Sequence, residues 1–212
     1  LDGDGVVSEQ EIFEFMRFLP EQVDSYELGL KSTLFGGRMS TSLAVFLADY
    51  QDVQIPGSIG VDTDGDGIED TFTGVTTNAA SATLTGVEFE GLFRATDHIS
   101  FNWAVGWLDA EYDEFINAFG EDVADQAVFQ NTPEWTANGT VPFETPLRLL
   151  GTGGQFFVIG RGAYRSEASQ FEFPNPLLDQ EAFTLWDLSL VWEDDEGRLR
   201  VGIHGKNLTD EE

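Results

Sequence analysis

ISFNWAVGWLDAEY, residues 99–112, alternates in size and polarity along its length. Its odd positions are Ile99, Phe101, Trp103, Val105 and Trp107, and its even positions are Ser100, Asn102, Ala104 and Gly106. Successive side chains of a strand point to opposite faces, so a pleated strand here carries bulky apolar groups on one face and small or polar groups on the other. A soluble sandwich also makes such strands. Asp109 and Glu111, however, take the bulky parity directly after Trp107, as though an apolar band ended at a tryptophan and water began there. An aromatic residue closing an apolar band on an alternating strand is the mark of a transmembrane β-barrel.

The same parity recurs outward from this stretch. In 199–207, Leu199, Val201 and Ile203 oppose Arg200, Gly202, His204 and Lys206; in 86–94, Val87, Phe89 and Phe93 oppose Glu88, Glu90 and Arg94. Phe46, Ala48 and Tyr50 are read as the apolar parity against Asp49 and Gln51. Residues 183–192 are less regular, because Leu185 and Val191 share the parity of Asp187 and Ser189. Eight strands are expected, at about 23–35, 39–53, 80–95, 99–112, 134–143, 155–167, 183–193 and 198–208, most of them long enough to cross a bilayer at a tilt. The connections run short (36–38), long (54–79), short (96–98), long (113–133), intermediate (144–154), long (168–182) and short (194–197). Outer-membrane barrels alternate short periplasmic turns with longer external loops, so strand 99–112 runs outward and Trp107 lies near the external interface.

Composition narrows the function. Ten Lys and Arg stand against 39 Asp and Glu, a formal charge of −29, and phosphate binding requires the opposite sign, which excludes a nucleic-acid partner. Cysteine is absent and there are two histidines, His98 and His204, which removes disulfides, thiol catalysis and zinc–thiolate sites. No apolar run approaches the ~20 residues of a spanning helix. The chain opens at Leu1 with no start methionine or signal peptide, and its ends look cut.

Two acidic segments carry the strongest chemical signal. Asp62, Asp64 and Asp66 alternate before Gly67, with Ile68 able to offer its carbonyl and Asp70 following. Alternate carboxylates next to a glycine that permits a sharp reversal can bring several oxygens to ~2.4 Å from one hard cation, so Ca2+ is the expected cofactor. The register matches an EF-hand loop through much of its length, but the last ligand position is Thr73 instead of Glu and no helix flanks it; DxDxDGxxD is nearer a thrombospondin type 3 calcium repeat. At the N-terminus Asp2, Asp4 and Glu11 fit later ligand positions of a second EF-hand-like loop, with Gly5 at the turn, and EQEIFEFMRFL after it reads as a short amphipathic helix ended by Pro20. The domain reading is therefore a partial EF-hand-like loop and helix at 1–22, and a barrel segment over 23–212 with a calcium-type loop at 62–73. Both acidic loops fall on the external side, where calcium would stiffen loops or bridge them to lipopolysaccharide.

Several stretches, in order, resemble one family: VDSYELGLKS (23–32), AVFLADYQDVQI (44–55), NAASATLTGVEFEG (78–91), WLDAEYDEF (107–115), NTPEWTANG (131–139), AYRSE (163–167) and HGKNLTDEE (204–212). They are similar to the later part of the barrel of TonB-dependent outer-membrane receptors. That resemblance implies an all-β antiparallel segment of a barrel of about 22 strands in the outer membrane of a Gram-negative bacterium. It also implies an N-terminal plug domain, outer-membrane lipid as surroundings, and import of a scarce nutrient such as a ferric siderophore with energy relayed by TonB. The plug, the TonB-contacting segment, the earlier strands and the last strands of the full pattern are missing from this chain, so transport belongs to a parent protein of which this is wall and mouth.

Other candidates read as ordinary barrel wall. Glu88 and Glu90 sit ~6 to 7 Å apart on one strand face and form no catalytic pair, and Arg161, Arg165, Arg200, His204 and Lys206 are lumen-facing charges. Trp103, Trp107, Trp135 and Trp192 read as lipid-facing or girdle aromatics. No nucleophile, base and orienting group lie together around Ser166 and Glu167, so an enzyme is not expected. The rival readings are a secreted soluble calcium-binding β-protein of adhesin type and a complete small barrel without a plug.

Overall fold

The computed structural model describes residues 17–61, 71–117 and 120–211. Eight antiparallel strands follow one another in a single sheet: β1 (Gln22–Leu34), β2 (Met39–Val61), β3 (Thr71–Arg94), β4 (Ser100–Phe115), β5 (Trp135–Pro146), β6 (Gly154–Arg165), β7 (Phe183–Asp194) and β8 (Arg200–Gly205). Each strand pairs with its neighbours in sequence, and among the described residues β1 and β8 are not paired with each other. The sheet is thus an open wall, which sets aside the complete eight-stranded barrel.

Register decides what each face carries. Leu28↔Val45↔Val87↔Trp107↔Trp135 are direct cross-strand partners, as are Leu30↔Leu43↔Phe89↔Val105↔Ala137↔Tyr164. Further round the wall, Phe143↔Val158↔Leu190↔Ile203 continue the same face. Partners in a sheet share a face, so one side of the wall is predominantly apolar, and most of its large side chains stand exposed. A sheet buried in water-soluble protein would cover that face; in a membrane barrel lipid covers it.

The structure corrects the parity read for β2. Leu43, Val45 and Leu47 join the apolar face, whereas Phe46 lies opposite Gly86 on the other. The run LAVFLADY has apolar residues at both parities, so only its partners decide. Asp49 pairs with Thr83, which pairs with Glu111, above the band.

The connection read as a loop at 54–79 is also corrected. β2 and β3 stay paired as far as Val61↔Thr71, with two register shifts, one on each side of Val53, and Asp52 beside them has φ +56°. At about 3.3 Å per residue β2 runs roughly 75 Å, far more than a bilayer needs. β1 pairs only to Gln51, and β4 reaches Ala80, so the rest of the hairpin is an arm beyond the sheet. Its base is held by the chain entering β1: Asn78 receives the Leu19 N–H at 2.6 Å and donates to the Leu19 carbonyl at 2.9 Å, and Gln54 donates its backbone N–H to Glu21 at 2.7 Å. Residues 17–20, the end of the expected helix, are irregular, and the remainder of that helix lies outside the described residues.

The intermediate connection 144–154 is narrowed to 147–153, because β5 runs to Pro146 and β6 begins at Gly154, and it closes in a tight turn. Leu149 and Thr152 exchange both backbone hydrogen bonds at 2.9 Å. All four connections at this end are therefore short, and they are stitched together: the Arg38 guanidinium donates to the Arg94 and Ala95 carbonyls, and the Trp192 indole N–H donates to the Leu147 carbonyl at 2.9 Å.

Candidate functional site

Two regions can meet a solute: the face opposite the apolar one and the rim formed by the long connections. Asn102, Thr140, Arg161 and Asp187 are successive cross-strand partners, giving a polar row over four strands. Glu88 lies between Ala44 and Gly106, and Glu90 between Ser42 and Ala104. Both glutamates are exposed among small neighbours, as wall charges facing a wet lumen. The Arg165 guanidinium donates to the Asn131 carbonyl at 2.6 Å. Arg200 faces Glu193 at 3.7 Å near the short-turn end, and a His204 ring nitrogen lies 2.9 Å from the Ser189 hydroxyl. The sequence's lumen candidates are thus spread over the height of the wall and form no single cluster.

The rim has its own core. Tyr112 stacks on Phe129 at 4.3 Å between ring centroids, nearly parallel, and meets Phe115 edge-on at 5.0 Å; Phe115 meets Phe173 edge-on at 5.9 Å. Phe115, Ala80 and Ala127 are buried together, with Val53 and Ile55 of the β2–β3 arm packed against them. One cluster therefore ties the connection after β4, the connection after β6 and the arm. Backbone bonds support it, from Val128 to Glu172 at 2.7 Å and from Asn131 to Ser169 at 2.8 Å. Burial raises the Tyr112 phenol above its usual pKa, and the nearby Glu172 carboxylate adds to the rise. The Asp122 carboxyl is held below the usual range by the backbone N–H groups of Phe115 and Ala124. Tyr112 and Phe115 are three residues apart in β4, but Phe129 and Phe173 come from two different connections and no local pattern joins them to that pair, although QFEFPNP (170–176) in a polar connection was a visible cue.

Beside this core an open groove of about 620 Å3 is bounded by Leu108, Val128 and Phe129 and by the carboxylates of Asp109, Glu134 and Glu181. Glu134 accepts the Trp107 indole N–H at 2.8 Å, and Trp107 and Trp135 pair at 6.4 Å, so the aromatic girdle sits directly beneath the rim. Trp192 keeps the lipid-facing parity, as the partner of Phe156 and Val201, but it is only 5% exposed because it is laid over Gly154.

The expected calcium ligands Asp2, Asp4, Glu11, Asp62, Asp64, Asp66, Ile68 and Asp70 all lie outside the described residues. Thr73, at the last EF-hand position, lies in β3 opposite Ile59, so the loop reading at 62–73 is shortened to 62–70. Among the described residues no group of three His, Asp or Glu is arranged to hold a metal.

The KNLTDE stretch has a physical content of its own. Asn207 takes φ +47°, a conformation that asparagine tolerates, and its side chain donates to the Glu211 carbonyl at 2.8 Å while accepting the Glu211 N–H at 3.0 Å. Its own N–H goes to Asp187 at 3.0 Å, locking the end of β8 to β7.

A sequential antiparallel wall, apolar on one face, polar on the other, with short turns at one end and a built rim at the other, is a segment of an outer-membrane β-barrel. The chain belongs to the TonB dependent receptor-like, beta-barrel family, whose model matches residues 16–208. Membership places it in the outer membrane of Gram-negative bacteria, as part of a receptor and not of an enzyme. The fold is similar to that of the ferric yersiniabactin uptake receptor FyuA from Yersinia pestis, with a TM-score of 0.68 and 21% identity over 92% of this chain and 26% of that one. BauA, the ferric preacinetobactin receptor from Acinetobacter baumannii, gives 0.63 and 17% over 92% and 26%. Fiu, the ferric-catecholate import receptor from K12 E. coli, gives 0.61 and 15% over 92% and 24%. The chain spans about a quarter of the length of these receptors.

Proposed function

We propose that this chain forms wall and external mouth of a receptor that imports a ferric siderophore across the outer membrane, with energy relayed by TonB. The observation that carries the reading is the two-faced wall of the receptor family, with its polar row Asn102–Thr140–Arg161–Asp187 turned to the lumen. The likeness in fold to three receptors for ferric chelates supports it. The test is radio-iron uptake from a panel of chelates by iron-starved cells with the gene intact, with the gene deleted, and with tonB deleted. Loss of uptake of one chelate class in both deletions is expected; uptake unchanged for every chelate would overturn the proposal, and loss in the gene deletion alone would overturn TonB coupling.

The Asp-rich segment carries a second proposal, that residues 62–70 bind Ca2+ at the external surface. What favours it is the pairing of Val61 with Thr71, which closes the segment on a two-stranded stem and brings its ends to neighbouring-strand distance. Strand and not helix flanks the segment on both sides, and its carboxylate spacing is nearer the thrombospondin type 3 register than that of an EF-hand. Calorimetric calcium titration of the folded receptor should give heat that Asp64→Ala and Asp66→Ala abolish; identical heats would refute it.

A further inference from the structure

Two of the short periplasmic turns place an apolar residue where turn chemistry prefers another. In the turn after β5, Leu150 and Gly151 have φ of +48° and +85° between the paired residues Leu149 and Thr152. Positive φ at both central positions is the pattern of a type I′ hairpin turn, whose first position favours asparagine because a branched apolar side chain is strained there. Leu150 is nevertheless present, and it is 99% exposed. In the turn after β1, Phe35 has φ +52°, is 69% exposed, and points its ring at Phe93, 6.2 Å away. Each residue therefore combines backbone strain with an apolar side chain in the open.

Both turns continue the lipid-facing side. Leu34 pairs with Met39, which pairs with Phe93 and through it with Phe101, all on the apolar face. Phe143 pairs with Val158, and the same register carries the face on to Leu147, which donates its N–H to Gly154 at 2.8 Å, and to Leu149. The β5–β6 hairpin is held firmly at its base, where Trp192 lies over Gly154 and bonds the Leu147 carbonyl. The remaining turns at this end have polar tips, with Asp97 in one and Glu196 in the other, both exposed.

We propose that the β1–β2 and β5–β6 turns are membrane anchors, with Phe35 and Leu150 inserted into the headgroup and upper acyl region of the periplasmic phospholipid leaflet. An apolar side chain on a turn that continues a lipid-covered face meets the interface next, and that burial offsets the cost of its conformation. The two anchors also fix the depth of the wall: upward displacement would drag them through the leaflet, and downward displacement would bring Asp109 into hydrocarbon.

The test uses the full receptor reconstituted in phospholipid vesicles with no other protein. Single cysteines at Leu150, Phe35, Asp97 and Glu196 carry the same fluorophore, and lipids bearing a nitroxide near the headgroup act as quencher. Quenching at 150 and 35 several-fold stronger than at 97 and 196 is expected; equal quenching at all four positions would overturn the proposal. Heat-modifiable electrophoretic mobility verifies that each variant is folded. If strong protection of positions 35 and 150 is found in whole cells and vanishes in the vesicles, a periplasmic protein covers these turns and the lipid assignment fails. Leu150→Asn provides a second arm: it improves the turn chemistry, so a folded Leu150→Asn receptor should lose membrane depth at a nearby label on Arg148 without losing the hairpin, and an unchanged depth would count against insertion.

Discussion

Phe101→Arg is the sharpest test of which face meets lipid. From Trp107 back to Phe101 the strand covers roughly 20 Å at ~3.4 Å per residue, and a tilt of about 40° reduces this to roughly 15 Å of depth. Half of an apolar band ~25 Å tall is about 12 Å, so Phe101 lies within about 3 Å of the membrane midplane. An arginine there costs ~2 to 4 kcal/mol, a factor of roughly 30 to 900 in the folding equilibrium. Ala104→Arg is the matched control. Ala104 faces the lumen between Glu90 and Asn138, where a guanidinium stays hydrated and gains a partner worth at most ~1 kcal/mol. Urea titration of the full receptor folding into short-chain lipid vesicles, read by tryptophan emission and heat-modifiable mobility, measures both. A loss of more than ~2 kcal/mol for Phe101→Arg beside a change within about 0.5 kcal/mol for Ala104→Arg is expected; equal shifts would refute the assignment of faces.

Gly162 lies directly opposite Trp186, and a Cβ on it would come within 2.7 Å of the indole, whereas Gly160 on the same strand has open space. Gly162→Ala should therefore cost ~1 to 3 kcal/mol in the same titration while Gly160→Ala stays near neutral. The Tyr112 phenol is harder to ionise in the folded rim than in an unfolded chain, whose pKa is near 10, so its contribution is intact below that pH and is lost as pH rises through the higher folded value. Tyrosinate absorbance, with Tyr112→Phe as the blank, should show one phenol titrating late, and hydrogen exchange in 116–134 and 166–182 should accelerate only above pH ~10; exchange accelerating at neutral pH in step with ionisation would contradict the burial. Phe115→Ala removes the centre of the same cluster and should speed exchange in both connections together, while leaving the mobility shift of the folded wall unchanged.

The transmembrane strands were legible in the sequence because lipid on one side and water on the other impose a two-residue period, which β4 obeys from Phe101 to Trp107. β2 misled for the same reason: Leu47 and Phe46 are both apolar, and only the partners Thr85 and Gly86 tell them apart. The arm of β2 and β3 was missed because IPGSIGV and TFTGVTTN lie above the membrane, where no solvent contrast writes a period into the side chains. Pairing there rests on backbone hydrogen bonds, which any sequence supplies. The rim cluster was invisible for another reason. Tyr112 and Phe115 share β4, but Phe129 and Phe173 come from two separate connections, and contact of these with the β4 pair follows from the fold, not from spacing.

The two ends of the wall are built on different principles, and this bears on how a receptor can change specificity without losing its barrel. At the periplasmic end turns are closed by polar groups acting on backbone across neighbouring strands, Arg38 on the Arg94 carbonyl, His98 on the Glu144 carbonyl at 2.9 Å, Trp192 on Leu147. Such bonds fix the positions of strands, because their acceptors belong to the ladder itself. At the external end the chain is held by aromatic side chains packed on one another and on Ala80 and Ala127, an arrangement that tolerates exchange of one large apolar group for another. Substitutions in the rim can therefore reshape the groove beside Asp109 and Glu134 while the stitched end keeps register. The arm of β2 and β3 adds a lever to this: its base is clamped through Asn78 and Gln54 and its side packs into the aromatic cluster through Val53 and Ile55, so an event at the far end of the arm reaches the rim through paired strand and not through loose loop.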